Sequence, residues 1–168
     1  MLEIIENAVP LVYLDLMHQT AMNQNAWHFR YPHGRPDKHP KLEVIDGEPL
    51  QPVLAGMAMG LLTLIYDKNP NLFLPAVSYC GIGMKNRHRP DNKHIDHEKD
   101  LDYIKVGGVL NSDWGPQDGG SFEYGDEVIP CKPGTFLVFD PRVEHKATEI
   151  TSDKVRIFID FAVPAIKE

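Results

Sequence analysis

Apolar positions along the chain fall into two textures. Up to about Asn69 they follow helical spacing. Leu11, Leu14, Leu16 and Met17 predict one short helix. Val53, Leu54, Met57, Leu61, Leu64 and Ile65 predict a second, ended by Asn69-Pro70. Between the two, Tyr31 to Pro40 holds three prolines and a glycine and reads as loop. From Leu72 onward, short β-type runs alternate with turns. The runs are Ala76 to Tyr79, Tyr103 to Val106, Val109-Leu110, Ser121 to Tyr124, Glu127 to Ile129, Thr135 to Phe139 and Val155 to Phe161. Asp113 to Pro116, Asp118 to Gly120, Lys132 to Gly134 and Asp140-Pro141 punctuate them. Short strands with tight turns predict an antiparallel sandwich or barrel. No repeat is visible, and the polar run from Lys85 to Asp102 is the one compositionally biased tract.

Composition narrows this picture. A chain of 168 residues builds one domain with a real core and is too short for two ordinary ones. Apolar residues at 42% and charged residues at 24%, with 13 glycines and 14 prolines, describe a turn-rich globular protein and exclude disorder or collagen. A net charge of -7 argues against a general nucleic-acid coating role while leaving room for a local basic patch. Cys80 and Cys131 form neither a CxxC pair nor a disulfide framework, which favours a reducing compartment. Met1 to Asn7 is acidic where a secretory signal is basic, so no targeting peptide is expected. The longest apolar stretch, Val53 to Tyr66, is interrupted by Thr63 and falls short of the roughly 20 residues that span a bilayer. A soluble, cytoplasmic protein without a membrane partner is the expectation.

Candidate chemistry starts at His94-Ile95-Asp96, with His145 far downstream. If residues 94 to 96 are extended, His94 and Asp96 point to one face, because strand side chains alternate. A histidine from a remote strand then completes a two-histidine, one-carboxylate set. Such a set suits iron(II), since it occupies one face of an octahedron and leaves the other open. His-x-Asp alone is a weak signal, and a solvated polar loop carries it equally well. On the last β-type run Arg156 shares a face with Phe158 and Asp160, opposite Val155, Ile157 and Ile159. An arginine directed inward needs an anion, and a dicarboxylate matches its fork. The other reading has Arg156 in solvent and the aliphatic residues in the core.

The ordered set resembles a known family. It comprises His94-x-Asp96, Leu110-Asn111-Ser112-Asp113-Trp114, Gly119-Gly120-Ser121-Phe122-Glu123-Tyr124, the run Pro133 to Asp140, His145 and Arg156. Together these are similar to the 2-oxoglutarate- and Fe(II)-dependent oxygenases, and within them to the prolyl 4-hydroxylase branch. The likeness spans roughly residues 76 to 162. It implies a mainly β fold with flanking α: a double-stranded β-helix, or cupin-like jelly roll, with N-terminal helices packed outside. On that reading residues 1–70 are a helical support and residues 72–162 the jelly-roll core of a single domain. The resemblance makes His94, Asp96 and His145 ligands of Fe(II), and Arg156 the partner of the distal 2-oxoglutarate carboxylate. Tyr79 matches a tyrosine whose hydroxyl reaches that co-substrate in many members. Lys154, two residues before Arg156, is its competitor.

The implied reaction consumes O2 and 2-oxoglutarate, hydroxylates a substrate and releases succinate and CO2, with ascorbate as a further reductant. The substrate it implies is proline in a peptide or protein. Two alternatives stay open: the same chemistry on a small molecule or nucleobase, and a metal-binding jelly-roll module without turnover. Because Asp96 is present, no ligand position is vacated for a halide, which disfavours halogenation. The sequence also departs from the family. Where some relatives carry a second co-substrate tyrosine stands Gly107-Gly108-Val109, so the pocket is looser or is filled by Tyr103. His97 follows the motif and points away in a strand. The segment from Lys85 to Lys93 is basic and reads either as a solvated loop or as a lid steering an acidic substrate. Asp160 either lines the pocket or forms a strand-end salt bridge. Gly81-Ile82-Gly83 lacks the third glycine and the helix of a dinucleotide fingerprint.

Overall fold

The computed structural model describes residues 1–30, 39–89, 91–96 and 103–166. In chain order the strands and helices are β1 (Leu2–Ile5), α1 (Leu11–Met22), β2 (His28–Arg30), β3 (His39–Asp46), β4 (Glu48–Pro49) and α2 (Pro52–Lys68). There follow β5 (Tyr79–Lys85), β6 (Tyr103–Val109), β7 (Phe122–Tyr124), β8 (Glu127–Ile129), β9 (Phe136–Phe139), β10 (His145–Ala147) and β11 (Arg156–Pro164). The larger sheet has eight strands in the order β1-β9-β6-β11-β5-β3-β2, with β4 beside β3. The smaller one has three, in the order β10-β7-β8. Every strand pair is antiparallel. This is the mainly β, jelly-roll architecture expected from the sequence, with two helices outside.

Strand alternation sorts the residues of the large sheet. Ile104 and Val106 on β6, Ile157, Ile159, Phe161 and Val163 on β11, and Cys80 and Ile82 on β5 are buried in one core. That core also takes the buried faces of the helices: Leu14, Met17 and Ala21 of α1, and Leu54, Ala58, Leu61, Leu62 and Ile65 of α2. Leu11, Leu16 and Val53, counted in the helical pattern, face outward instead. The opposite face of β6 and β11 carries Lys105, Gly107, Arg156, Phe158 and Asp160, all lining a cavity. Both alternating sets of β11 are therefore covered.

Several elements differ from the sequence-based expectation. The first seventy residues supply strands as well as helices, since β1 pairs with β9 and β3 with β5. Leu42 and Val44 are fully buried, so β3 carries an alternation that its proline-rich approach masks. The loop expected over 31–40 ends earlier, because His39 and Pro40 already pair with Arg30 and Phe29; residues 31–38 lie outside the described residues. The strand expected over 76–79 instead begins at Tyr79 and continues to Lys85. The two runs around Gly107-Gly108 form one strand, β6. Glycine has low strand propensity, so both elements were hidden for the same reason. Among the described residues no helix is long and apolar enough to cross a membrane.

Candidate metal centre

His94 and His145 come together through backbone pairing. Each donates its N–H to the other's carbonyl, at 3.0 and 2.9 Å, which places residue 94 beside the first residue of β10. The Asp96 N–H donates to Pro141 O at 2.9 Å, and the Tyr103 hydroxyl donates to the Asp96 carbonyl at 3.2 Å. These bonds hold both ends of the His-x-Asp segment. The side chains meet as alternation requires: one ligand atom from each of His94, Asp96 and His145 lies within 4.8 Å of the others.

Ring orientation follows from the second nitrogen. His94 Nδ1 lies 2.8 Å from Asn92 O and His145 Nδ1 lies 2.8 Å from Val143 O. A carbonyl only accepts, so each Nδ1 carries the hydrogen and each Nε2 is left facing Asp96, at 3.4 and 3.5 Å. Phe122 and Phe139 pack against the His145 ring at 5.5 and 5.0 Å and bury it. Burial alone would raise the Asp96 carboxyl, but the two imidazoles and the Lys105 ammonium hold it well below the usual carboxylate range. The centre thus offers two imidazole nitrogens and a carboxylate at one wall of a cavity of about 270 Å³.

Arg156 enters the same cavity from the start of β11. Its Nη1 donates to Gly120 O at 2.7 Å, while Nε is buried without a hydrogen-bond partner. Gly120 has φ of +69°, and a Cβ there would stand 3.0 Å from Nη1, so glycine lets the turn approach the guanidinium. Trp114 Nε1 donates to Gly119 O at 3.0 Å and fixes that turn. Asn111 ties β6 to β11: its Nδ2 donates to Val155 O at 3.0 Å, and its Oδ1 accepts from Ile157 N at 2.7 Å. Thr135 also lines the cavity, and its buried Oγ1 has no hydrogen-bond partner. Sequence reading named Asn111 and Trp114 within a motif but assigned neither this role; nothing local reveals what they hold.

Other sequence candidates fall elsewhere. Lys154 does not line the cavity: its Nζ donates to Asp113 O at 2.7 Å and pairs with buried Asp118 at 3.1 Å. Tyr79 pairs with Ala162 whereas Arg156 pairs with Lys85, at opposite ends of β11. At about 3.3 Å per residue that separation is roughly 20 Å, so Tyr79 is not brought to Arg156. Its ring lies instead beneath the Lys41 and Lys105 ammoniums, at 4.9 and 5.6 Å. Tyr103 does not fill the gap at Gly107-Gly108, being turned to the Asp96 carbonyl. Asp160 lines the cavity and pairs with Lys105 at 2.8 Å, but from the middle of β11 and not at a strand end. The basic segment is tied by polar contacts: Lys85 to Asp91 at 2.8 Å, Asp91 to the Ala147 N–H at 3.1 Å, and Arg87 to Asp153 at 2.9 Å. His97 lies outside the described residues.

No protein-family model matches the sequence, and no curated protein matches it. Solved structures do match. A Trichoplax adhaerens prolyl hydroxylase, in complex with a hypoxia inducible factor oxygen degradation domain peptide fragment, aligns with TM-score 0.70 at 16% identity, over 96% of this chain and 82% of that one. The viral collagen prolyl hydroxylase of Paramecium bursaria Chlorella virus-1, as a 2OG complex, aligns with TM-score 0.66 at 12% identity, over 98% and 96%. HygX from Streptomyces hygroscopicus, with nickel and 2-oxoglutarate bound, aligns with TM-score 0.63 at 10% identity, over 97% and 82%. Across nearly its whole length the chain has the jelly-roll fold of the 2-oxoglutarate- and Fe(II)-dependent oxygenases, prolyl hydroxylases among them.

Proposed function

We propose that the protein is a 2-oxoglutarate- and Fe(II)-dependent oxygenase that hydroxylates its substrate with release of succinate and CO2, acting on proline in the manner of the prolyl 4-hydroxylases. The observation that carries this reading is the convergence of His94, Asp96 and His145 on the cavity that Arg156 enters. Two nitrogens and a carboxylate suit Fe(II) and leave positions for co-substrate and oxygen. The cavity also fits a dicarboxylate. Arg156 Nε and Thr135 Oγ1 are buried polar atoms that lack partners, and a carboxylate accepts from both. When bound, the metal and 2-oxoglutarate supply the oxidising chemistry.

The protein's own groups position and shield. His94 and His145 present Nε2 because their Nδ1–H groups are committed to backbone carbonyls. Asp96 is held anionic, ready to bind a cation. Arg156 keeps one arm on Gly120 and would offer its partnerless Nε to the distal carboxylate of 2-oxoglutarate. Phe122 and Phe139 keep water from His145. The prolyl hydroxylases among the structural matches, one of them in complex with a peptide fragment, support a peptide or protein substrate.

The test is succinate release from 2-oxoglutarate with Fe(II), run with and without ascorbate and with proline peptides, free amino acids and nucleic acid. Mass spectrometry then looks for the gain of one oxygen atom. Succinate formation that needs His145, and oxygen gained by a proline peptide, are the expected results. Metal binding without any succinate leaves a binding module, and oxygen gained only by a small molecule moves the substrate away from peptides.

A further inference from the structure

Further along β11 from Arg156, the cavity wall near the metal ligands is charged. Asp160 stands at its centre, with Lys105 Nζ 2.8 Å from Oδ2 and Lys41 Nζ 3.6 Å from Oδ1. Both ammoniums lie over the Tyr79 ring and both lysine side chains are largely buried, at 15% and 12% exposed. Asp160 Oδ1 is itself buried and makes no hydrogen bond. The next carboxylate within reach of Lys105 is Asp96, at 3.8 Å, which belongs to the metal ligand set. One carboxylate thus serves two largely buried ammoniums. Lys85, also on the wall, is paired with Asp91 at 2.8 Å and adds no free charge.

The wall is built rather than accidental. Gly81 and Gly107 flank Asp160 on the neighbouring strands. A Cβ at Gly81 would collide with the Tyr79 hydroxyl and the Lys41 chain, so glycine lets both side chains lie flat across β5. Along β11, Asp160 is roughly 13 Å from Arg156. The two cationic loci are thus separate along the strand, and the one at Lys105 adjoins Asp96 of the candidate ligand set, at 3.8 Å.

We propose that Lys41 and Lys105 receive a carboxylate of the substrate, so that the molecule hydroxylated carries an acid group beside its reacting carbon. This rests on the proposed function and names its substrate class. The carboxylate belongs either to a free amino or imino acid or to an acidic residue next to proline in a peptide. A neutral peptide leaves the second ammonium uncompensated, and an unpaired buried charge is strongly unfavourable.

The test uses the full chain loaded with Mn(II) and saturated with 2-oxoglutarate, reading the paramagnetic broadening of probe proton resonances. L-proline is compared with L-prolinamide, and acetyl-Glu-Pro-amide with acetyl-Gln-Pro-amide. At least one acid is expected to bind roughly 10- to 100-fold more tightly than its amide, the range for a charge-assisted contact. The pair that responds identifies the source of the carboxylate. Lys41→Gln should abolish the preference and Lys41→Arg should retain most of it, with circular dichroism and 2-oxoglutarate binding showing that each variant is folded. Equal binding of acid and amide, no binding by any acid, a preference that survives Lys41→Gln, or displacement of 2-oxoglutarate by the acid overturns the proposal. The 2-oxoglutarate resonances are read in the same sample. Failure of that ligand to bind removes the proposed function as well, whereas its binding with equal acid and amide removes only the substrate class.

Discussion

His145 is the most deeply buried residue of the proposed metal centre. It is buried against two phenylalanines, oriented by Val143 O and paired by backbone with His94. Loss of an outer-sphere partner costs metal affinity roughly 10- to 100-fold, and removal of a ligand should exceed that. His145→Ala is expected to lose Fe(II) affinity by more than about 100-fold and to release no succinate, with the fold retained by circular dichroism. Full activity in this variant would remove the ligand assignment. Arg156→Ala touches no metal ligand. A bidentate charge-assisted contact in a buried pocket contributes about 2–4 kcal/mol, so the KM for 2-oxoglutarate should rise roughly 30- to 1,000-fold with Fe(II) affinity nearly unchanged. Arg156→Lys should recover part of the loss, since an ammonium keeps the charge without the fork. Lys154→Ala should leave that KM unaltered, because Lys154 is occupied by Asp113 and Asp118.

At the scale of the element, β5 shows how a strand is shaped by what lies across it. Gly81 and Gly83 occupy the cavity face, and the Phe158 ring lies where a Cβ at Gly83 would stand. Gly83→Ala should therefore destabilise the protein by about 1–3 kcal/mol, the usual cost of overpacking, even though alanine is the better strand former. Urea unfolding at neutral pH measures it, and a stabilised variant would show that Phe158 swings away freely. The same glycines explain why β5 was not legible in the sequence. Hydrophobic alternation survives at Cys80 and Ile82, but the facing positions are empty rather than polar. Helix α2 was legible almost to its ends, because Pro52, the apolar spacing and Asn69-Pro70 are all local signals.

For the molecule as a whole, the charged wall couples stability to pH. Burial alone would raise the Asp160 carboxyl, but the Lys105 and Lys41 ammoniums outweigh it and hold the group below its ordinary range. Burial would likewise lower Lys105, and the Asp160 and Asp96 carboxylates reverse this and raise it. A lowered acid contributes stability that is present above its unfolded pKa, about 3.9, and is lost as pH falls through the folded value. A raised lysine contributes stability that is present below its unfolded pKa, about 10.4, and is lost as pH rises through the folded value. The pair therefore supports the fold across the neutral range. Asp160→Asn should be less stable than the parent by about 1–3 kcal/mol at pH 7, with the difference shrinking below about pH 4. A difference that stays constant with pH would mean that the pairing adds nothing.

The sequence by itself determined the candidate metal ligands, the placement of Arg156 on the Phe158 and Asp160 face, and both helices. The helices and the face of Arg156 follow from periodicity, whereas the metal ligands, weakly marked by His-x-Asp alone, were singled out by the resemblance of the whole ordered set to a known family. Tertiary structure decided which face of β11 enters the cavity, and it did so by covering both: helices take Ile157, Ile159 and Phe161, and the cavity takes Arg156, Phe158 and Asp160. It also brought Arg156 but not Lys154 to the cavity, set Tyr79 six residues along β11 from Arg156, and brought Lys41 from β3 to Asp160 on β11. The physical reason is one of range. Alternation within a strand is set by the backbone of that strand, whereas its neighbours are set by pairings between residues far apart in the chain, and no local pattern encodes those.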